Sequence, residues 1–147
     1  MKAINEMKLI IESRSVNEGF ARAAVSAFAA QLDPTLDELS DIRTAVSEAV
    51  TNCIVHAYPE SVGLITVTAR IFPDGLFRVK IKDKGRGIAD VKQAMEPLFT
   101  TMGGERSGLG FSVMESFSDK LRVTSTPGKG CTVTLDRYIS GRDGDDD

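Results

Sequence analysis

A chain of 147 residues, 41% hydrophobic and 27% charged, is long enough for one domain with a proper core and too short for two of ordinary size. Its net charge of −3 gives no electrostatic reason to expect nucleic acid or an anionic membrane as partner, and a single His with two scattered Cys argues against a transition-metal site. No run of about 18 apolar residues occurs and the first residues lack a secretory pattern, so a cytoplasmic protein is expected, with Cys53 and Cys131 as buried free thiols.

In chain order, Met7 to Ser13 is dominated by branched residues and predicts a strand. Ser15-Val-Asn-Glu18 has the spacing of a capping box, which predicts a helix running to about Leu32, packed through its Phe20 and Phe28 side with Arg22 exposed. Asp33-Pro34 breaks it, and Thr35-Leu-Asp-Glu38 is a second capping box opening a helix that continues to Tyr58, before Pro59. Gly63 to Phe72 and Leu76 to Asp83 predict a hairpin turning at Pro73-Asp74-Gly75. In its second strand Phe77, Val79 and Ile81 alternate with Arg78, Lys80 and Lys82, so period two carries Asp83 to the core side. A carboxylate there must either cap a turn or receive a ligand's donors.

A glycine-spaced loop, Lys84 to Asp90, then leads to a short helix. Met95 to Ser107 has no sustained period and predicts a long loop of the kind that serves as a lid. Gly108-Leu-Gly110 opens a helix from Phe111 to Phe117, and Leu121 to Ser125 and Cys131 to Arg137 predict a final strand pair. A domain over 1–138 followed by an acidic, disordered tail over 139–147 is the expected organisation. The element order predicts an α/β (α+β) two-layer sandwich, with helices on one side of a mostly antiparallel sheet.

The chemistry concentrates on the second helix, where Glu48, Asn52 and His56 recur every four residues and so share one face, about 40° apart per step. With small and branched neighbours in place of Lys and Glu, this face resembles a cavity wall more than a solvated surface. A nucleotide needs what three segments offer. Asp83 supplies a buried acceptor for an adenine amine, and Gly85 and Gly87 let backbone approach the base. Gly108 and Gly110 expose N–H groups to phosphates. An amide oxygen from Asn52 suits Mg²⁺, which prefers oxygen ligands and keeps waters, and Glu48 one turn back can take a proton from an attacking hydroxyl. His56 is expected to hydrogen-bond near the helix end.

The set Glu48-x-x-x-Asn52, Asp83-x-Gly85-x-Gly87, Gly108-x-Gly110 and Gly130-x-Thr132 resembles, in order and spacing, the N, G1, G2 and G3 boxes of the GHKL ATPase superfamily. Around them, Phe20-Ala-Arg22, Gln31 to Thr35, Val46 to Asn52, Pro97 to Thr101 and Glu105 to Phe111 resemble the anti-sigma serine kinases of partner-switching systems, over nearly the whole chain outside the acidic tail. The resemblance implies a Bergerat-type ATP-binding fold with a lid. It implies a homodimer that, with ADP or ATP bound, sequesters a sporulation sigma factor and phosphorylates a serine of an anti-anti-sigma partner.

Carried over position by position, the resemblance makes Glu48 the general base and Asn52 the Mg²⁺ ligand, with Asp83 and Thr132 as adenine contacts. Thr100, Thr101 and Ser107 join the nucleotide contacts, Arg106 meets the γ-phosphate, and Arg22 lies on the surface for which the two protein partners compete. The lid departs from its relatives at Met102-Gly103-Gly104, without a lid lysine. Two alternatives stay open: a stress-response anti-sigma kinase of the same superfamily, and a nucleotide-dependent binding module that never turns over ATP. A sensor histidine kinase would need an acceptor His ahead of the ATP domain, and the one His is inside the second helix.

Overall fold

The computed structural model describes residues 1–86 and 110–141. The expected lid, the short helix before it, and residues 142–147 of the tail lie outside the described residues. The described chain forms β1 (Asn5–Glu12), α1 (Val16–Ala29, extended by a 3₁₀ turn Ala30–Leu32), α2 (Leu36–Asn52, continued by a π turn Cys53–Ala57), β2 (Leu64–Ile71), β3 (Leu76–Asp83), α3 (Phe111–Ser116), β4 (Lys120–Thr126) and β5 (Gly130–Tyr138). The five strands make one antiparallel sheet in the order β1-β2-β3-β5-β4. Both long helices lie on one face, the predicted two-layer sandwich.

Alternation on the strands builds that face. Ile65, Val67, Ala69 and Ile71 of β2, Phe77, Val79 and Ile81 of β3, and Val133 and Leu135 of β5 are all buried against Ile42, Ala45, Val46, Ala49 and Val50 of α2. On α1 the small residues Ala21, Val25 and Ala29 are the buried ones, with Phe28 reaching the Phe77 ring at a centroid separation of 6.3 Å. Phe20 departs from expectation: it is 56% exposed, because the narrow Ala-Val-Ala stripe is what lets α1 approach the layer closely.

The two capping boxes diverge. At Thr35 the box is complete: the Glu38 N–H donates to Thr35 Oγ1 at 3.1 Å and the Thr35 N–H to Glu38 Oε1 at 2.9 Å. Such a cap is worth about 1 kcal/mol. At Ser15 the expected box does not form. Ser15 itself has helical dihedrals and no side-chain cap bond, and the Glu18 carboxylate turns instead to Arg22 and to Ser47 on α2.

The domain boundary also moves. Ile139 is buried, its N–H donating to Gly75 O, while Ser140 and Gly141 are tied to Glu38, so these three residues belong to the fold and not to a disordered tail.

Candidate functional site

Beyond Asn52 the α-helix widens into the π turn, a feature that recurs at functional sites. The widening delivers the end of α2 onto the loop that follows β3. Ala57 O accepts the Arg86 N–H at 3.3 Å, and a side chain at Gly85 would run into Ala57. The Tyr58 hydroxyl accepts the Lys84 N–H at 2.7 Å and donates to Leu64 O at 2.9 Å. From the other side the Gly128 N–H donates to Arg86 O at 2.7 Å. Residues 83–86 are thus clamped between α2 and the β4–β5 turn.

Asp83 has the inward parity expected of it and is 6% exposed. It also does what the sequence posed as the alternative. Oδ1 caps the turn by accepting the Gly85 N–H at 2.9 Å, while Oδ2 accepts the Cys53 S–H at 3.5 Å. A carboxylate offers about four lone-pair sites, so two accepted bonds leave room for a ligand's donor.

The β3–β5 register pairs Asp83 with Cys131 and Lys82 with Thr132. Thr132 therefore lies on the opposite face of the sheet from Asp83, and the structure does not bring the two together. Cys131 stands beside Asp83 in its place. Alternation back from the buried Val133 and Leu135 carries this signal in the sequence. Gly130 makes the juxtaposition possible: at φ 120° it lets β5 press onto the backbone of Asp83 and Lys84, where a side chain would collide. Burial, and then the charge of Asp83, push the Cys131 thiol up to about 11. The same two causes raise the buried Cys53 further, so both cysteines flanking Asp83 stay protonated at neutral pH.

Glu48 is half-buried and accepts no hydrogen bond from the described residues. Gly110, left-handed at φ 70°, passes directly over it, and a side chain there would strike the carboxylate. The start of α3 and the polar face of α2 therefore meet at Glu48, with Asn52 one turn on. Asn52 and Glu48 offer an amide oxygen and a carboxylate, a donor set that fits a hard, water-retaining cation. No cluster of three or more His, Cys, Asp or Glu that could hold a metal occurs among the described residues.

Arg22 lies on the far side of α2's polar face. Its guanidinium is 3.4 Å from Glu18, whose Oε2 accepts the Ser47 hydroxyl at 2.9 Å. A groove of about 380 Å³ between α1 and α2 is lined by Arg22 and, along α2, from Leu36 and Leu39 through Arg43 to Glu48. Gly87, Thr100, Thr101, Arg106, Ser107 and Gly108, all expected at the nucleotide, lie outside the described residues.

A helix with a carboxylate and an amide one turn apart, an inward aspartate at a strand end, and glycines pressing both neighbouring segments onto them define the class. A family model described as a histidine kinase-like ATPase domain matches residues 12–136. The relatives narrow this. The anti-sigma F factor of Caldanaerobacter subterraneus subsp. tengcongensis is 55% identical over 95% of this chain and 97% of its own length, and that of Geobacillus kaustophilus is 50% identical over 92% and 94%. The chain belongs to the histidine kinase-like ATPase family and, within it, to the anti-sigma F factors. Among solved structures, the RsbU and RsbW domains of a Mycobacterium tuberculosis protein match with a TM-score of 0.68 at 22% identity, covering 92% of this chain and 32% of that one. A histidine kinase domain from Erythrobacter litoralis matches at 0.58 and 22%, over 84% of this chain and 61% of that one. Both carry the fold.

Proposed function

We propose that this chain is an ATP-dependent serine kinase that sequesters a sporulation sigma factor and phosphorylates a serine on an anti-anti-sigma partner. The observation that carries the reading is Glu48. It is a half-buried carboxylate left without partners among the described residues, on the same helix face as Asn52, at the end of the sheet where Asp83 points inward. The adenine amine donates to Asp83, with Cys131 beside it. Asn52 would hold Mg²⁺ through its amide oxygen, and the ion when bound would supply charge neutralisation at the phosphates. Glu48 takes the proton of the serine hydroxyl as its oxygen bonds the γ-phosphorus, while the bond to the bridging oxygen breaks and ADP leaves. Arg106 meets the γ-phosphate, and Thr100, Thr101, Ser107 and the glycines around them line the phosphates.

The names of the relatives support a sigma factor as partner. Arg22, with the exposed Val16 and Phe20 on the same helix, is the surface on which sigma factor and anti-anti-sigma protein compete. The working unit is a cytoplasmic homodimer. Among the described residues no helix is long and apolar enough to cross a membrane.

Incubation with labelled Mg-ATP and a candidate anti-anti-sigma protein tests the reading. Label on a partner serine is the expected result. Nucleotide-dependent sigma binding with no label on any partner would leave a binding module instead.

A further inference from the structure

The groove between α1 and α2 has a polarity of its own. Partway along it, with Leu36, Leu39 and Ser40 beyond them, stand two arginines in different states. Arg22 is neutralised by Glu18, whereas Arg43 is exposed and forms no ion pair among the described residues. At the end nearer the α2 C-terminus is Glu48, and between Arg43 and Glu48 the wall of α2 carries two hydroxyls, Thr44 and Ser47. Ser47 is fixed by its bond to Glu18, so Arg22 and the turn bearing Glu48 are held in register by one carboxylate. A groove in which an exposed cation, two hydroxyls and then a carboxylate follow one another fits an extended peptide segment with an acid at one position and an unionised hydroxyl at another.

From this charge arrangement we infer that the groove seats the serine-bearing segment of the protein substrate, with Arg43 selecting an acidic side chain a fixed distance from the hydroxyl presented to Glu48. The inference rests on the proposed kinase reading and names the substrate feature that reading leaves open. The spacing follows from the helix. Arg43 and Glu48 are separated by about 7.5 Å of rise along α2. Crossing the groove adds to this, so an extended chain at about 3.3 Å per residue places the acid about three residues from the serine.

Fluorescence anisotropy with short labelled peptides tests this, using the full chain saturated with Mg-ADP. Each peptide carries one serine in a Gly/Ala background with Asp or Lys at that spacing. The wild-type chain is expected to bind the Asp peptide about five-fold more tightly than the Lys peptide at low salt, with the difference shrinking as salt is added. Arg43→Glu should invert the order. Lys8→Glu makes the same change in net charge at an exposed position on the sheet face away from α1 and α2 and should leave the order as it is. Equal affinity for the two peptides, no saturable binding of either, or an inversion produced equally by Lys8→Glu would overturn the inference. Phosphoryl transfer is scored separately with labelled ATP, so peptide selectivity without label would sink the kinase reading while leaving the groove's preference measured.

Discussion

Two glutamates ten residues apart on α2 have opposite surroundings. Glu38, near the start, is buried and accepts four hydrogen bonds: from Thr35 N–H, Ser140 N–H, Ser140 hydroxyl and Gly141 N–H at 2.9, 2.7, 2.9 and 3.2 Å. Burial alone would raise its pKa, but these donors outweigh it and hold the carboxyl down to about 2, against an ordinary 4.5. Glu48 is half-buried, accepts nothing from the described residues and faces the backbone of Gly110 and the open groove. The first carboxylate joins the C-terminal segment to the helix, and the second is held ready for something else. Hydrogen bonds received, more than position on the helix, separate a structural acid from a chemical one.

The comparison breaks most visibly in activity. Glu48→Gln keeps size and hydrogen-bonding capacity but removes the base, so phosphoryl transfer to a partner serine should fall about 10²–10⁴-fold while ATP affinity stays within a few-fold. Label transfer and calorimetry on one preparation check this. Equal loss of both would make Glu48 another Glu38.

The reciprocal change is one of stability. Glu38→Ala removes the acceptor of a hydroxyl and three N–H groups, that of Gly141 buried, and should cost about 2–4 kcal/mol in denaturant unfolding, with the variant still binding ATP while folded. The pH dependence has a definite sign. Because the folded pKa lies below the unfolded one, Glu38 stabilises fully above about 4.5, and that contribution, on the order of 3 kcal/mol, is lost as pH falls toward 2. Glu38→Gln should flatten this part of the acid-unfolding profile, whereas Glu48→Gln should leave it unchanged.

The smallest effect sharpens the boundary between the two regions. Tyr58→Phe removes only the hydroxyl that ties Lys84 and Leu64 to the end of α2. It should cost about 1 kcal/mol of stability and weaken ATP a few-fold through the loop of Asp83, with kcat for bound ATP unchanged.

Much of this is legible in the residue pattern. Strict alternation on β3 gave Asp83 its inward side, and the Thr35 box formed as spelled. What failed had a tertiary cause. Ser15-x-x-Glu18 has the same spelling, yet Ser47 and Arg22 offer Glu18 better partners across the helix pair than the local cap does. Phe20 obeyed helical spacing, but the adjacent Ala21-Val25-Ala29 stripe packs closer and won the buried side. At the start of β5 the resemblance points to Thr132, while strand parity sets Cys131 beside Asp83. The π turn after Asn52 leaves no trace in residue spacing, and it brings Ala57 and Tyr58 onto the loop from Asp83 to Arg86.

The central claim is that one pocket at this end of the sheet holds adenosine phosphates through Asp83. Titration calorimetry of wild type and Asp83→Asn with Mg-ATP tests it most directly. The account predicts saturable heat at one nucleotide per chain for wild type and a loss of affinity of about ten-fold or more in the variant, with the fold retained by circular dichroism. Heat absent from the wild-type titration, or identical binding by the folded variant, would contradict it.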